Sequence, residues 1–588
     1  MAWYDEAIFY HIYPLGMLDA PKENSYGEPV HRLRELKKWI PYYKELGINA
    51  IYIGPLFESV GHGYETTDYR KLDSRLGDND DLKQFVKDCH KEGIHVIFDG
   101  VFNHVGRDFF AFKDLKQNRE NSRYKDWFLN VNFWNNNEYN DGFSYENWGG
   151  YNLLVKLNQR NPEVKDYIRD VIKFWVSEFD VDGIRLDAAD VLDFDYMKML
   201  RQVANEVKPD FWLMGEVIHG DYSRWVNDGT LHAVTNYTLH KALFSGHNDH
   251  NYFEIAHTVK RLYEMGGNRP DGLRLYNFSD NHDVERIINK INNKAAYYPV
   301  HILVYTLPGV PSIYYGSECG IEGRKEKGSD ASLRPALNFD NYKNAVKEND
   351  YASFISRLSK IRKVLPALSY GDYRESMLTN RQYAYTRNCG DSCVIVTVNN
   401  DDNQATINGR GAKDGNYVGA LSGNKLSVCG GNYSAEVPGN YGEIWVPENE
   451  AGALIGDIKE KPIKSAKVAA TPVSIAPVSI APVTIEPVAN KSDTAKNQDI
   501  VQKQDSQKTQ QTTKGGAAAK YNLDVKYSAY NPDEIASRND YDAMTIEELQ
   551  VAILEKMAHN GSVNDQMIKT VMDNVYLDSL KNWVKSFR

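Results

Sequence analysis

Between Ile8 and Gly316, short runs rich in β-branched and aromatic residues alternate with longer stretches in which apolar residues recur at helical spacing. This alternation is typical of parallel strand–helix units. Eight segments have the length and composition of buried strands: Ile8–Tyr13, Ile48–Pro55, His95–Gly100, Gly183–Asp187, Trp212–Val217, Ala233–Tyr237, Leu273–Phe278 and Val310–Gly316. Eight strands with intervening helices predict an α/β protein built on a (β/α)8 TIM barrel.

The pattern is interrupted once and then changes. Residues 104–162 carry many Asn and Trp residues without a clear period, which predicts a domain inserted after the third strand. The barrel itself is then expected in residues 1–103 and 163–369. Over residues 370–447 the pattern switches to short alternating runs broken by Gly-Asn and Asn-Gly pairs, which predicts a small C-terminal β-sandwich.

The last part of the chain has a different composition. Residues 448–520 are rich in Pro, Ala, Ser, Lys and Gln and contain a five-residue proline repeat, which predicts a disordered, semi-extended linker. In residues 521–588, Thr545 and Glu548 form a capping box, and apolar residues recur at helical spacing on both sides of Gly561. A small helical hairpin is predicted. The hairpin is either an accessory tail or an element that docks a partner or self-associates.

Composition and charge exclude two classes of partner. No run approaches the ~18 apolar residues that a membrane-spanning helix needs, so no membrane insertion is expected. Lys and Arg total 69 against 80 for Asp and Glu, a net charge of −11, which argues against a nucleic-acid binder. The five cysteines are few and odd in number, and the chain opens without a leader-like pattern, so a cytoplasmic protein is expected.

Candidate chemistry lies in four short strings, each at the carboxyl end of a predicted strand. They are Asp99-Gly-Val-Phe-Asn103-His104, Gly183-Ile-Arg185-Leu-Asp187, Gly215-Glu216-Val217 and Ser279-Asp280-Asn281-His282-Asp283. An Asp after one strand often only caps the next helix. In a barrel, however, these strand ends form the active face, and bringing Asp187, Glu216 and Asp283 together there costs folding energy. The four strings together indicate an active site.

Three carboxylates, two histidines and an arginine, without a thiol cluster or a phosphate loop, suit acid–base chemistry on an acetal. In retaining glycoside hydrolysis, one carboxylate attacks the anomeric carbon, and a second protonates the leaving oxygen and later activates water. A third carboxylate stabilises charge or holds hydroxyl groups. The residues therefore predict a glycoside hydrolase.

This set of strings, in this order, resembles the α-amylase family of glycoside hydrolases (glycoside hydrolase family 13) over about residues 3 to 450. The string His62-Gly63-Tyr64-Glu-Thr-Thr-Asp68-Tyr69 and the Leu157-Asn158 and Asn161-Pro162 pairs also match. The resemblance implies that Asp187 is the nucleophile, Glu216 the general acid/base and Asp283 the transition-state stabiliser.

The resemblance also implies roles for five substrate-binding residues. Arg185 would keep the nucleophile ionised and oriented. His104 and His282 would bind hydroxyls of the sugar in the cleaved position, Asp99 would brace that cluster, and Tyr64 would stack under the ring.

Within the family, Val155-Lys156-Leu157-Asn158 and Glu216-Val-Ile-His219 are most similar to the neopullulanase and cyclomaltodextrinase branch. That branch usually has an extra N-terminal domain that supports dimers, whereas here the barrel begins almost at Met1. The nucleophile is followed by Ala188-Ala189-Asp190-Val191 instead of the usual Asn-Glu pair. Chain-length preference and oligomeric state therefore stay open.

The resulting expectation is a retaining hydrolase of α-1,4 bonds in an α-glucan oligosaccharide or polysaccharide, namely maltodextrins, cyclodextrins or starch-derived oligosaccharides. Three alternatives stay open: an ordinary α-amylase acting on starch, a glucanotransferase or trehalose-type isomerase with the same triad, and a non-catalytic glucan-binding scaffold.

No cofactor is expected. The resemblance implies a possible Ca²⁺ ligand in Asn103, but the first strand–helix loop lacks the Asp/Asn-rich calcium loop of oligo-1,6-glucosidases. Several aromatic residues of the insertion either line sugar subsites or form its own core: Phe133, Trp134, Tyr145, Trp148 and Tyr151.

Overall fold

The structure is a computed structural model of the 588-residue chain. It describes residues 2–267, 272–452, 454, 520–521, 523, 527, 530–538, 540–541, 544–560, 568, 571–572, 580–581 and 584. The chain divides into two compact units, Met1–Val473 and Ser474–Arg588.

The first unit begins with the barrel and its loops. Their strands are β1 (Phe9–Ile12), β2 (Ala50–Ile53), β3 (Phe57–Ser59), β4 (Thr66–Leu72), β5 (His95–Gly100), β6 (His104–Gly106), β7 (Asn147–Trp148), β8 (Tyr151–Lys156), β9 (Gly183–Leu186), β10 (Trp212–Gly215), β11 (Ala233–Val234), β12 (Tyr276–Phe278) and β13 (Val310–Tyr314).

The helices of this unit are α1 (Pro14–Met17), α2 (Ile40–Leu46), α3 (Asn79–Lys91), α4 (Phe110–Asn118), α5 (Pro162–Phe179), α6 (Phe194–Val207), α7 (Tyr237–Asn248), α8 (Tyr252–Met265), α9 (Ile287–Lys290), α10 (Tyr297–Thr306), α11 (Ala345–Glu348), α12 (Asp350–Val364) and α13 (Pro366–Tyr370).

The barrel sheet has eight parallel strands in the order β11-β10-β9-β5-β2-β1-β13-β12. A parallel bridge between Thr235 and Tyr276 joins the two edge strands. The predicted (β/α)8 barrel is confirmed, and each strand lies inside one predicted segment. The sixth is shorter than predicted because Asn236 caps α7, its side chain accepting a hydrogen bond from the Leu239 amide. The seventh is also shorter, beginning at Tyr276.

Helix α5 shows why the outer helices form. The Asn161 side chain accepts hydrogen bonds from the amides of Glu163 and Val164, and Pro162 occupies the first turn, where no backbone donor is needed. One face of α5 is buried, including Ile168 and Trp175. Burying such an apolar face holds the helix against the barrel.

The insertion after β5 is a small layer whose buried residues belong to the same apolar cluster as the barrel. Strands β6, β8 and β7 form a three-stranded antiparallel sheet, and α4 packs nearby. Phe112, Phe143 and Tyr145 are buried in contact with one another. Since β6 begins at His104, the insertion is anchored directly at a predicted site residue.

A C-terminal antiparallel domain follows, as predicted. Its strands are β14 (Asp372–Leu378), β15 (Gln382–Cys389), β16 (Ser392–Asn399), β17 (Ala405–Arg410), β18 (Gly415–Gly419), β19 (Lys425–Val428), β20 (Asn432–Val437) and β21 (Tyr441–Pro447). They form a six-stranded sheet, β14-β15-β16-β21-β18-β19, and a pair, β17-β20. Ile395, Ile407 and Trp445 belong to the buried apolar cluster of this domain.

In the second unit, the structure describes helices α14 (Pro532–Ser537) and α15 (Ile546–Asn560). The predicted capping box is present, with the Thr545 amide 2.8 Å from Glu548 Oε2 and the Glu548 amide 3.2 Å from Thr545 Oγ1. Nearly all of the predicted linker and most of the second predicted helix lie outside the described residues. Among the helices that are described, none is long and apolar enough to cross a membrane.

Candidate active site

The predicted site residues meet at the carboxyl ends of the barrel strands. Asp99 in β5 and Arg185 in β9 are register partners in the parallel sheet. Arg185 Nη1 lies 2.9 Å from Asp99 Oδ1 and 3.0 Å from Asp187 Oδ1, and Arg185 Nη2 lies 2.8 Å from Glu216 Oε2. One buried guanidinium therefore bridges carboxylates from three neighbouring strands.

Asp187 lies at the centre of this cluster, and only a tenth of its side chain is exposed. Burial raises the pKa of Asp187, and the charges of Glu216, Asp99 and Asp283 raise it further, whereas Arg185 opposes the rise. Asp187 Oδ2 lies 4.0 Å from His104 Nε2, which is beyond hydrogen-bonding distance. The site is an electronegative pocket in which Arg185 supports the ionised form of Asp187.

Glu216 is held by the turn that follows Asp187. Its Oε2 accepts a hydrogen bond from the Ala188 amide at 3.1 Å, and Ala188 has a left-handed φ of 46°. This conformation is uncommon for a residue with a side chain and costs about 1 kcal/mol. Tyr237 donates its hydroxyl to Glu216 Oε1 at 3.3 Å. The geometry of Glu216 is therefore tied to the backbone beside Asp187.

The Asp283 carboxylate contacts one histidine and one arginine. Its Oδ2 lies 3.0 Å from His282 Nε2, and Arg334 Nη2 lies 2.9 Å from its Oδ1. Burial alone would raise the pKa of Asp283, but His282 and Arg334 hold it well below its usual range. Arg334 Nε also donates to the His282 carbonyl at 3.1 Å. Arg334 therefore holds the backbone of the His282–Asp283 segment in place and also stabilises the charge of the Asp283 carboxylate.

Asp99 and Tyr64 join the two halves of the pocket. Asp99 Oδ2 accepts hydrogen bonds from the hydroxyls of Tyr52 at 2.9 Å and Tyr64 at 3.1 Å. The Tyr64 hydroxyl also contacts His282 Nε2, and the two rings are nearly parallel, 5.7 Å apart. Asp99 thus connects Arg185 on one side of the pocket with His282 on the other.

His104 lies on the insertion side of the pocket and is buried. Burial and, to a smaller extent, His62 lower the pKa of His104 to about 3, although a backbone contact with Tyr64 opposes the shift. The ring is therefore neutral near pH 7. All eight predicted site residues thus lie together in one pocket.

Sequence reasoning missed Tyr13, Tyr237 and Arg334. The Tyr13 ring packs in parallel on His282 at 5.7 Å, and Arg334 lies over Tyr13 at 4.6 Å. Tyr13 directly follows the first barrel strand, so the rule that found Asp99 and Glu216 could also have found it. Arg334 lies in a loop after the eighth strand, and no motif marks it.

The structure shows which aromatic residues of the insertion are buried and which are exposed. Tyr145 is buried and donates its hydroxyl to the Asn152 carbonyl at 2.7 Å, and Phe133 packs on Phe143. These two residues belong to the core. Trp148 is nearly parallel to His104 at 6.4 Å, so it borders the site, while Trp134 and Tyr151 are 99% and 68% exposed.

The residues around Asn103 do not fit a calcium ion. Asn103 Oδ1, the atom that would bind the cation, instead accepts a hydrogen bond from Gln159 Nε2 at 3.0 Å, so a partly positive N–H group points to the place where Ca²⁺ would have to bind. Elsewhere in the described residues, His31, Asp78 and Asp81 have ligand-type atoms within 4.8 Å of one another. That cluster belongs to the Asp78 cap of α3, where Arg34 also binds Asp81.

Comparison with known proteins agrees with this geometry. Residues 22–357 match the model of the α-amylase catalytic domain. A cyclomaltodextrinase of Bacillus sp. is 31% identical over 428 residues, covering 68% of this chain and 74% of the relative. Neopullulanase 2 of Thermoactinomyces vulgaris is 31% identical over 430 residues, covering 69% and 71%.

Solved structures give the same result. A cyclomaltodextrinase superposes with a TM-score of 0.67 and 26% identity, covering 76% of this chain and 78% of that chain. The debranching enzyme of Nostoc punctiforme superposes with a TM-score of 0.65 and 26% identity, covering 76% and 98%.

The barrel, with its carboxylates gathered at the strand ends, defines a glycoside hydrolase. The family match and the relatives identify which kind: the chain belongs to the α-amylase family.

Proposed function

We propose that the protein is a retaining hydrolase of α-1,4-glucosidic bonds in maltodextrins and cyclodextrins. The observation that carries this proposal is the contact of Arg185 with both Asp187 and Glu216 at the ends of adjacent strands. Relatives named cyclomaltodextrinase and neopullulanase, each covered over more than two thirds of their length, support the substrate class.

In this proposal, Asp187 attacks the anomeric carbon through Oδ2, the oxygen that Arg185 leaves free. Glu216 donates a proton to the departing glycosidic oxygen, and the Asp187–sugar ester forms as the C–O bond breaks. Glu216, now ionised, removes a proton from water, which attacks the same carbon from the vacated side and releases Asp187. The anomeric configuration is retained because it is inverted twice.

The other residues stabilise the charged transition state. Asp283, kept anionic by His282 and Arg334, faces the positive charge that develops on the sugar ring. His104 and His282 are placed to hold ring hydroxyls, and Tyr64 to pack against the sugar. The electronegative pocket thus favours the oxocarbenium-like state over the neutral substrate.

A time course of products from maltoheptaose, β-cyclodextrin, pullulan and soluble starch, with anomeric configuration followed by NMR, tests the proposal. We expect β-cyclodextrin to be opened faster than starch is cut, with α-configured products. Rapid cleavage of starch with β-cyclodextrin untouched would indicate an ordinary α-amylase. Products longer than the substrate would indicate a transferase. An isomerised disaccharide among the products would indicate a trehalose-type isomerase, and binding without turnover would indicate a scaffold.

Two further properties are part of the proposal. Because Gln159 donates to Asn103 Oδ1, we expect no calcium ion at Asn103, and dialysis against EDTA should leave both activity and melting temperature unchanged. A cytoplasmic location is supported by five unpaired cysteines and by an intracellular maltogenic amylase of Bacillus subtilis, 31% identical over 55% of this chain and 53% of the relative. Cell fractionation tests the location.

A further inference from the structure

A chain of hydrogen bonds runs from the start of α6 to His104. The Asp193 amide donates to Gln159 Oε1 at 2.6 Å, and Gln159 Nε2 donates to Asn103 Oδ1 at 3.0 Å. Asn103 Nδ2 lies 3.2 Å from His104 Nδ1. Gln159, Asn103 and His104 are 5%, 0% and 1% exposed, so little water competes for these bonds.

The direction of every bond follows from the first one. A backbone amide can only donate, so the Gln159 atom facing Asp193 must be its carbonyl oxygen. Its NH₂ group must then face Asn103, which has to offer its own oxygen. The Asn103 NH₂ group is left to face His104 Nδ1, and this nitrogen must accept. A neutral His104 then carries its proton on Nε2.

The backbone donor at the start of the chain is itself fixed. Asp193 caps α6, and its side chain accepts hydrogen bonds from the amides of Asp195 at 3.0 Å and Tyr196 at 3.2 Å. The Asp193 amide therefore has a fixed position and direction. The chain of hydrogen bonds from Asp193 to His104, called the relay below, in turn fixes the orientation of each side chain along it.

The other end of the chain opens into the pocket. His104 Nε2 is buried and makes no hydrogen bond within the described part of the protein, and it lies 4.0 Å from Asp187 Oδ2. A buried N–H without a partner is costly, and such groups are usually satisfied by a ligand or water. The position next to Asp187 suits an oxygen of the bound substrate.

We propose that Gln159 is a positioning residue that holds His104 in the Nε2–H tautomer, so that His104 donates a hydrogen bond to a substrate oxygen beside Asp187. Only the identity of that oxygen, a sugar hydroxyl, rests on the proposed function. The tautomer rests on the hydrogen bonds alone.

The replacement Gln159→Glu changes the direction of the relay with little change in shape. A carboxylate still accepts from the Asp193 amide but cannot donate to Asn103. The Asn103 amide then turns its NH₂ group to the carboxylate and its oxygen to His104, which must carry its proton on Nδ1. Asn103→Asp breaks the relay at the next bond and demands the same tautomer. It provides a second variant if the first fails to fold.

The tautomer is measured by ¹⁵N NMR of the full chain labelled at the histidine ring nitrogens, with His104→Gln identifying the His104 signals. We expect Nε2–H in the unmodified protein and Nδ1–H in Gln159→Glu and Asn103→Asp. Gln404→Glu, the same change on an exposed side chain of the C-terminal domain, should leave the signals unchanged. An Nδ1–H or doubly protonated His104 in the unmodified protein, or an unchanged tautomer in both folded variants, would overturn the proposal.

A double-mutant cycle measures the effect on turnover. Gln159→Glu should lower kcat/KM on maltoheptaose by about 10- to 100-fold, and by less than about 2-fold when His104 is already Ala, because the two residues act as one unit. Equal losses in both backgrounds would show a structural role for Gln159 and would contradict the proposal. If the chain does not cleave glucans, the proposed function fails while the NMR result still decides the tautomer.

Discussion

Two buried carboxylates, Glu443 in the C-terminal domain and Asp187 in the barrel, face opposite surroundings. Glu443 accepts hydrogen bonds at Oε1 from the Leu421 and Ile444 amides, at 2.8 and 2.9 Å, and at Oε2 from the Ser422 amide at 2.9 Å. Asp187 binds Arg185 through one oxygen and leaves the other open to the pocket, among further carboxylates.

Burial raises the pKa of both groups, but only the barrel adds the repulsion of neighbouring negative charges. Both oxygens of Glu443 accept backbone hydrogen bonds, so its role is to fix the turn after β18 against β21. Asp187 retains an unused acceptor in an electronegative pocket, which lowers stability unless a substrate uses it. Burial of a carboxylate alone does not mark a catalytic site, whereas incomplete pairing among like charges does.

The largest expected effect comes from Asp187→Asn. The amide has the same shape but is a far weaker nucleophile, so kcat should fall on the order of 10⁴-fold or more with the melting temperature nearly kept or raised. Release of reducing ends from maltoheptaose, followed beside thermal unfolding, measures both. Retention of full activity would remove Asp187 from its proposed role.

Glu443→Gln should give the reverse result. The amide nitrogen would face one of the three backbone donors, leaving a buried donor unsatisfied, and the free energy of unfolding should fall by about 1–3 kcal/mol. At a temperature where the variant is folded, kcat/KM should be unchanged. A loss of kcat/KM in folded protein would erase the distinction between the two carboxylates.

Acid should destabilise the barrel and spare the C-terminal domain, whose strands contain no histidine. Burial lowers the pKa of His104 to about 3 and those of His240, His247 and His301 to about 4. Unfolded histidine binds its proton near pH 6.5, so the stabilisation is complete above that pH and is lost as pH falls toward 3–4.

His104→Gln should therefore make the stability of the barrel less dependent on pH, by up to about 1.4 kcal/mol per pH unit between pH 6.5 and 4. Urea unfolding at a series of pH values measures this slope. His257→Gln, on the exposed face of α8, is the control and should leave the slope as it is. An unchanged slope in His104→Gln would show that His104 is not held neutral.

The smallest effect is expected from removing the second unit. A chain ending after Gly452 keeps the hydrogen bond of Ser392 to Glu450 at 2.6 Å, and with it the edge of the C-terminal domain. Hydrolysis of short maltodextrins should be nearly unchanged, and binding of the full chain to a partner or to itself should be lost. A large loss of turnover would show that the second unit contributes to the site.

The sequence located the barrel strands because a parallel sheet buried on both faces leaves continuous apolar runs. It also located Asp99, Arg185, Asp187 and Glu216, since side chains at the ends of adjacent parallel strands must meet. The end of the sixth strand was harder to place, because Asn236 caps a helix that begins at Tyr237, within the predicted strand. The start of the seventh strand was also misplaced, since the strand begins at Tyr276 instead of Leu273.

Residues that act through long-range pairing left no local pattern. Arg334 reaches Asp283 across 51 positions, and Gln159 reaches Asn103 across 56. Gln159 lies within the matched segment from Leu157 to Pro162, yet only the fold brings it to Asn103. For the aromatic residues of the insertion, composition could not separate buried Tyr145 from exposed Tyr151, because the difference depends on the packing of Tyr145 against Phe112 of α4, which only the fold brings about.

The central claim, that Asp187 forms a covalent bond with the sugar, is tested most directly by trapping that bond. Glu216→Gln treated with α-maltosyl fluoride should accumulate the intermediate, because fluoride leaves without a proton donor and water lacks its general base. Mass spectrometry of the digested protein should place one maltosyl group on Asp187. Finding the group on another residue, or hydrolysis to β-maltose with no adduct, would contradict the account.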